Sequence, residues 1–422
     1  MSRKLSAALV LSVFAALLLA VSCGGSGPQE PESVVEARKL LDDAWTTLGP
    51  SGKELVLRSL VQAPDLPFAV GKEEAVFDFG SDQQRLDLVR VLAEWDTERV
   101  IPVFKKLLED KSELIQIFAA RVLAERGDGS GRQILADHVR AADGALHPEN
   151  CGLLAKLGDD VCFEPARKEL TSKDATRSAA AAATLGEIGG PEAARVLRGR
   201  LAKLHGDRRT PAITALSLIS EEPDDVPLVL SFFRYKENVL AVIDALGEMG
   251  GEKAVAKLRK TLAVKDPLAS AHAAAALVRL GQIDDEVKAA ITAAAGSSSV
   301  RIRYDVVSLL ALAPPSPEVA GLIALFLRDE EPKVVLQALR GLEPQVTEAQ
   351  WEDVLAAWEN TKTATEGAGY EASMAAIAVI GRSPGTAPDE FLPTLFEMDW
   401  NHVVQATVAL VARYERRHPA AA

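Results

Sequence analysis

Aromatic side chains make up only 5% of this 422-residue chain. β-Sandwiches and barrels lean on aromatic and β-branched residues. A sequence poor in aromatics and rich in Ala and Leu points instead to helices packed through small side chains. Basic charge is also short, since the formal net charge is −13. A nucleic-acid surface needs clustered Lys and Arg to displace counterions, so this balance argues against DNA or RNA as a partner. Charged residues stand at 25%, too moderate for a disordered polyelectrolyte. Long apolar runs are missing beyond residue 21: Val319 to Leu327 and Met374 to Ile380 cover about 7–9 residues, where a bilayer span needs about 20. The six histidines (His138, His147, His205, His272, His402 and His418) show no pairing at i+3 or i+4, and clustered ligands are what a metal site requires. His272, inside an Ala-rich stretch, reads as a packing residue. The run Gly127-Asp128-Gly129-Ser130-Gly131 lacks the spaced acids of a calcium loop and the Gly-Lys-Ser/Thr of a phosphate loop, and reads as an inter-helix turn. No nucleophile-elbow motif is present. The sequence therefore offers no catalytic residue, no metal site and no cofactor site.

What is present begins at the N-terminus. Arg3 and Lys4 precede an apolar stretch from Leu5 to Val21, followed by Ala20-Val21-Ser22-Cys23 and a Gly/Ser/Pro continuation. That is signal-peptide grammar. With a Cys at the first mature position, it resembles the lipobox of bacterial lipoproteins, although Ala20 stands where the pattern prefers Leu. The resemblance implies cleavage after residue 22, acylation of Cys23 and export. Gly24, in place of the Asp that retains lipoproteins at the inner membrane in enteric bacteria, slightly favours the outer membrane. Cleavage would remove Arg3 and Lys4 and no acid, taking the net charge from −13 to −15. Residues 23–33 read as a flexible tether.

Helical periodicity starts at Val34, with Val34, Ala37, Leu41 and Trp45 along one face. Residues 34–80 read as an N-terminal helical cap, with a loop or short hairpin from Phe68 to Gly80. From 81 to 417 the chain repeats itself, leaving a short tail at 418–422. The clearest unit is 174–204: an Ala-rich helix ending Leu185-Gly186, a turn through Gly189-Gly190-Pro191, then a second helix. The phrase recurs at Leu157-Gly158, Leu246-Gly247 and Leu280-Gly281, and further units fit 82–110, 112–142, 207–235, 299–328, 331–359 and 369–398. Each Gly is expected just past its helix end, where a left-handed cap is needed. Repeats of this length are paired helices that bury their apolar faces only by stacking, so the fold class is all-α, an α-solenoid of antiparallel helix pairs.

Asp266-Pro267, Val300-Arg301, Leu185-Gly186 and Pro191-Glu192-Ala193 carry a pattern that resembles HEAT repeats, in particular the short HEAT-like type of phycobilisome lyases. The resemblance implies an interaction scaffold or adaptor, anchored by lipid, that binds a protein partner through a curved surface. It leaves open a lyase-like or chaperone-type accessory protein that loads a cofactor or client and, further off, a nucleic-acid-binding solenoid. In HEAT-like arrays the second helices line the concave side. Here those helices carry Lys105, Lys106, Arg167, Lys168, Arg195, Arg198, Lys257 and Lys260. These are either ordinary solvated faces or a basic strip for an acidic segment or anionic headgroups. Cys151 and Cys162 are expected as free thiols. If Cys162 opposes Leu157 in an antiparallel pair, six residues at 1.5 Å each offset the two by about 9 Å along the axis, with the helix axes themselves about 8–10 Å apart, beyond disulfide reach.

Overall fold

The computed structural model describes residues 30–141, 146–222 and 225–419. The signal-peptide reading, Cys23 and most of the tether lie outside the described residues. Helix α1 spans Glu32–Thr47 and α2 Gly49–Ser59, followed by short 3-10 turns at Leu60–Gln62, Pro67–Ala69 and Lys72–Asp78 rather than a hairpin. Ten helix pairs follow: α3 Asp82–Ala93 with α4 Val100–Leu107, α5 Glu113–Glu125 with α6 Arg132–Ala141, α7 Pro148–Lys156 with α8 Phe163–Glu169, and α9 Ala175–Ile188 with α10 Gly190–Leu201. The next three are α11 Arg209–Ile219 with α12 Asp225–Leu230, α13 Val239–Met249 with α14 Glu252–Leu262, and α15 Pro267–Arg279 with α16 Asp285–Ala295. Then come α17 Val300–Leu310 with α18 Pro317–Ala324, α19 Pro332–Leu342 with α20 Trp351–Thr361, and α21 Gly367–Arg382 with α22 Ala387–Phe391. The last helix is α23, Trp400–Arg417. No strand occurs among the described residues, and the all-α solenoid of stacked helix pairs is what the repeats predict.

The sequence punctuates these helices at both ends. Asp174 Oδ1 accepts from the Thr176 and Arg177 amides at 2.8 and 3.2 Å, and Asp266 does the same for Leu268 and Ala269. Both satisfy amides that a helix start leaves unpaired. At the far end, Gly158 adopts φ 77° and the Asp159 amide reaches back to Leu154 O at 2.8 Å, the bonding of a Schellman cap. Gly186 and Gly247 behave differently: they lie inside α9 and α13. A Cβ on Gly247 would sit 2.8 Å from Ala276 Cβ of α15, and one on Gly186 would sit 3.1 Å from Ala215 Cβ of α11. Those glycines set how closely first helices approach, while paired glycines (Gly189-Gly190 and Gly250-Gly251) make the turns with positive φ.

That close approach fixes the curvature. From α7 to α23 each odd-numbered helix packs along the next, whereas neighbouring even-numbered helices meet at few points. A row that is tight on one side and splayed on the other curves toward the tight side, so the first helices form the inner wall. This corrects the expectation that the second helices line the concave side; small Ala and Gly contacts on the first helices reverse it. The array also closes. Helix α23 packs against α21 on one side and against α1 and α2 on the other, and every residue from His402 to Tyr414 is buried.

Cys151 and Cys162 form a disulfide with Cα atoms 5.6 Å apart, which overturns the free-thiol expectation. Cys162 does not stand opposite Leu157 in a second helix. The chain leaves α7 through the Schellman turn at Gly158 and takes a second turn, in which the Phe163 amide donates to Asp160 O at 2.9 Å, before α8 begins at Phe163. Cys162 therefore lies in a turn rather than in a second helix, and the antiparallel-helix register behind the expectation does not apply to it. The crosslink lies where α7 and α8 are short and where Leu153 and Leu154 belong to a small apolar cluster separate from the main core.

Alkylation of unreduced, denatured protein is expected to leave Cys151 and Cys162 unmodified, and Cys151→Ser/Cys162→Ser is expected to cost about 2–3 kcal/mol in chemical denaturation, the loop-entropy scale for a closure this short. Gly247→Ala and Gly381→Ala, whose Cβ would meet Ala276 and Ala409 at 2.8 and 2.7 Å, are expected to destabilise by about 1–3 kcal/mol through overpacking. Gly199→Ala, with nothing within 4 Å, is expected to stabilise by up to about 1 kcal/mol through helix propensity alone.

Candidate functional site

The inner wall is built from one stripe of each first helix. Counted from the residue that precedes the helix or its leading 3-10 turn, the second, sixth, ninth and thirteenth positions share a face. In α5 these are Leu114, Phe118, Arg121 and Glu125, and in α17 they are Arg301, Asp305, Ser308 and Leu312. The stripe carries large apolar groups in the open: Leu114, Leu218 and Leu312 are 66, 60 and 62% exposed, and Tyr304, beside the stripe residue Asp305, is 38% exposed. Between them, ion pairs step from one first helix to the next. Arg121 pairs with Glu149, Arg279 Nη2 lies 2.5 Å from Glu248, and Arg340 Nη2 lies 3.1 Å from Glu371.

His272 belongs to this stripe and is more than packing. Its Nδ1 lies 2.9 Å from Asp244 Oδ1 of α13, and its Nε2 lies 3.7 Å from Asp305 Oδ2 of α17. The ring thus bridges three consecutive first helices at 7% exposure. Burial opposes its protonation, but the hydrogen bond to Asp244 and the charges of Asp244 and Asp305 outweigh it, so the imidazole is held above its ordinary pKa. Arg301 Nε, 3.3 Å from Asp305, shares the second carboxylate. Among the described residues no group of three or more His, Cys, Asp or Glu is placed to hold a metal ion.

A cleft of about 570 Å³ opens where the ring closes, between α2, the turn after α3, α19, α21 and α23. Leu336, Met374 and Ala378 supply its apolar lining, and Glu94, Arg340 and Arg382 are among its polar groups. Because Arg340 and Glu94 occupy stripe positions, the cleft is continuous with the inner wall.

The expected basic strip lies elsewhere, on the even-numbered helices outside the ring, and most of it is engaged. Lys105 Nζ is 2.8 Å from Asp128, Lys106 Nζ 2.6 Å from Glu74, and Arg167 Nη2 2.6 Å from Glu164. Arg195 pairs with Glu192. Arg198 grips the buried Asp225 with two bonds of 2.5 and 2.8 Å. Lys257 Nζ sits 3.4 Å from the Phe233 ring centre, and burial, then Lys260, lower its pKa. Lys168 and Lys260 are exposed. The glycine-rich run at 127–131 is a turn: Asp128 accepts from Ser130, and the hydrogen bond from Lys105, together with those of Ser130, lowers its carboxyl to about 2.

No protein-family model matches the chain, and no curated protein is significantly similar to it. No helix among the described residues is long and apolar enough to cross a membrane. The stripe escaped notice in the sequence because its signal is thin: one exposed side chain per helical turn in helices otherwise buried.

The sign of the pH effect follows from His272. A group whose folded pKa is raised stabilises fully below its unfolded value, about 6.5, and that contribution fades as pH rises through the folded value. The melting-temperature gap between wild type and His272→Gln is expected to be widest near about pH 6 and to narrow under alkaline conditions. A gap independent of pH would show that the ring is not protonated in the bridge.

Proposed function

We propose that this chain is a lipid-anchored envelope scaffold or adaptor of HEAT-like repeats that binds a protein partner on the inner wall of its array and catalyses nothing. The observation that carries this reading is the exposure of Leu114, Leu218 and Leu312 at stripe positions of α5, α11 and α17, with Tyr304 beside the stripe. Tyr is a residue type enriched among interface hot spots, and the leucines add apolar surface whose removal from water favours association. The ion pairs that link first helices hold the wall rigid, so little ordering entropy opposes association. Export is supported by the signal-peptide grammar and by the Cys151–Cys162 disulfide, a crosslink that persists in oxidising compartments. Placement on the outer membrane rests on Gly24 alone.

The closure cleft favours a second reading, an accessory protein that loads a cofactor or client, because a cavity of about 570 Å³ falls in the range that small ligands occupy. Nucleic acid remains the weakest partner for so acidic a chain.

Crosslinking in intact cells, followed by pull-down and mass spectrometry, tests the surface directly. Wild type is expected to capture a reproducible protein partner. Leu218→Glu/Leu312→Glu is expected to lose at least about 90% of that capture, each buried anchor contributing on the order of 1 kcal/mol or more, with helical content unchanged. Charge reversal on the outer strip at Lys168, Lys257 and Lys260 is expected to leave capture intact. The opposite pattern would move the partner to the outside of the ring.

A further inference from the structure

Three arginines of α23 converge on the carbonyl oxygens that end α21. Arg413 Nη1 donates to Gly381 O at 3.3 Å and also to Ser383 O, while Arg416 Nη2 donates to the same Gly381 O at 2.8 Å. Arg413 Nη2 donates to Gly385 O at 2.8 Å, and Arg417 shares that acceptor. Guanidinium groups that share one acceptor lie within about 6 Å of each other. Arg382, next to Gly381 in the chain, adds a fourth cation. Two acids answer them: Asp389 pairs with Arg413 at 2.9 Å and Arg417 at 2.5 Å, and Glu343 pairs with Arg382 at 2.9 Å. Arg416 is exposed and has none. Burial, then the charges of Arg382, Arg413 and Arg417, push its guanidinium below its usual pKa.

The carbonyls account for why the arginines point here, since a helix C-terminus attracts cations. They do not neutralise four charges paired with two carboxylates, and Glu348, whose Oε1 would meet a Cβ on Gly385 at 2.9 Å, forms no ion pair with any of the four. An anion that accepted from Arg382, Arg416 and Arg417 would, and guanidinium geometry suits the oxygens of a phosphate.

The start of the described chain indicates where that phosphate comes from. Glu30 Oε1 lies 2.9 Å from Arg38 Nε, and Arg38 also pairs with Glu415, the residue before Arg416. Seven peptide steps separate Glu30 from Cys23 and reach at most about 25 Å. With an acyl anchor on Cys23, Glu30 cannot stand farther than that from the lipid surface, and the C-terminal end of α23 follows two ion pairs beyond it. We propose that Arg382, Arg416 and Arg417 form a site for the phosphate headgroup of an anionic phospholipid, which sets the orientation of the ring on its membrane. The placing against lipid rests on the anchor reading above; the cluster itself does not.

The test uses the full chain carrying Cys23→Ser, so that no acyl chain contributes, and vesicles of phosphatidylcholine with or without roughly a third phosphatidylglycerol. Binding to the anionic vesicles is expected to exceed binding to neutral ones and to fall about tenfold in Arg416→Gln/Arg417→Gln. Arg416→Gln alone breaks no ion pair and is expected to lower binding severalfold with an unchanged melting temperature, which separates a lost site from a lost fold. Equal binding by wild type and variants, or to both vesicle types, would overturn the site. So would complete release by millimolar inorganic phosphate, which would assign the cluster to the free ion. Fatty-acid labelling of the wild type with Cys23 restored reads the anchor independently: an unlabelled chain would end the anchor reading whatever the vesicles show.

Discussion

Contact between first helices through alanine and glycine governs the rest of the molecule. Where Gly247 meets Ala276 and Gly381 meets Ala409 there is no room even for a methyl group, so the helix axes come closer than larger side chains permit. Neighbouring second helices meet at few points, and from α7 onward the difference accumulates into a curve that brings α23 onto α1 and α2. An open solenoid must make its terminal repeats polar; here the ends cover each other, and α23 is buried from His402 to Tyr414 with no polar face of its own.

Burying the ends and stacking the pairs also encloses charge, and the chain meets that with Arg–Asp pairs in corresponding places. Arg85 reaches Asp110 with bonds of 3.0 and 3.2 Å, and Arg303 reaches Asp329 with bonds of 2.6 and 2.9 Å. In both cases a first-helix arginine clasps the loop that opens the next pair. The same aspartates accept from the Ser112 and Glu331 amides, so each carboxylate is fully used. Removing one partner of such a pair leaves a buried charge without compensation, which costs far more than the pair contributes. Arg413 and Asp389 do the same at the closure.

With the anchor proposed above, the closed array would present two surfaces of different character. The inner wall is apolar at intervals and self-paired in charge, suited to a partner that inserts. The end where α23 meets α1 is basic in an otherwise acidic chain. On the proposed reading one surface would face a protein and the other a headgroup layer, and the chain would hold its partner in a fixed attitude to the membrane rather than merely close to it.

Repeat length, Ala-rich first helices and turn glycines were legible in the residues, because each acts over a span shorter than one helix pair. They determined an all-α array and the place of each pair. The identical phrase Leu-Gly, however, hides two roles: Gly158 and Gly281 turn the chain at positive φ, while Gly186 and Gly247 receive a neighbouring helix. Which role a glycine takes depends on what lies 29 residues away. The same holds for the Cys151–Cys162 bond, set by the path of a turn; for His272, defined by carboxylates 28 and 33 residues distant; and for which helices face inward. Local pattern determined the elements, and only the stacking of one pair on the next decided the curvature, the closure and the surfaces, because those follow from distances between helices that no single repeat contains.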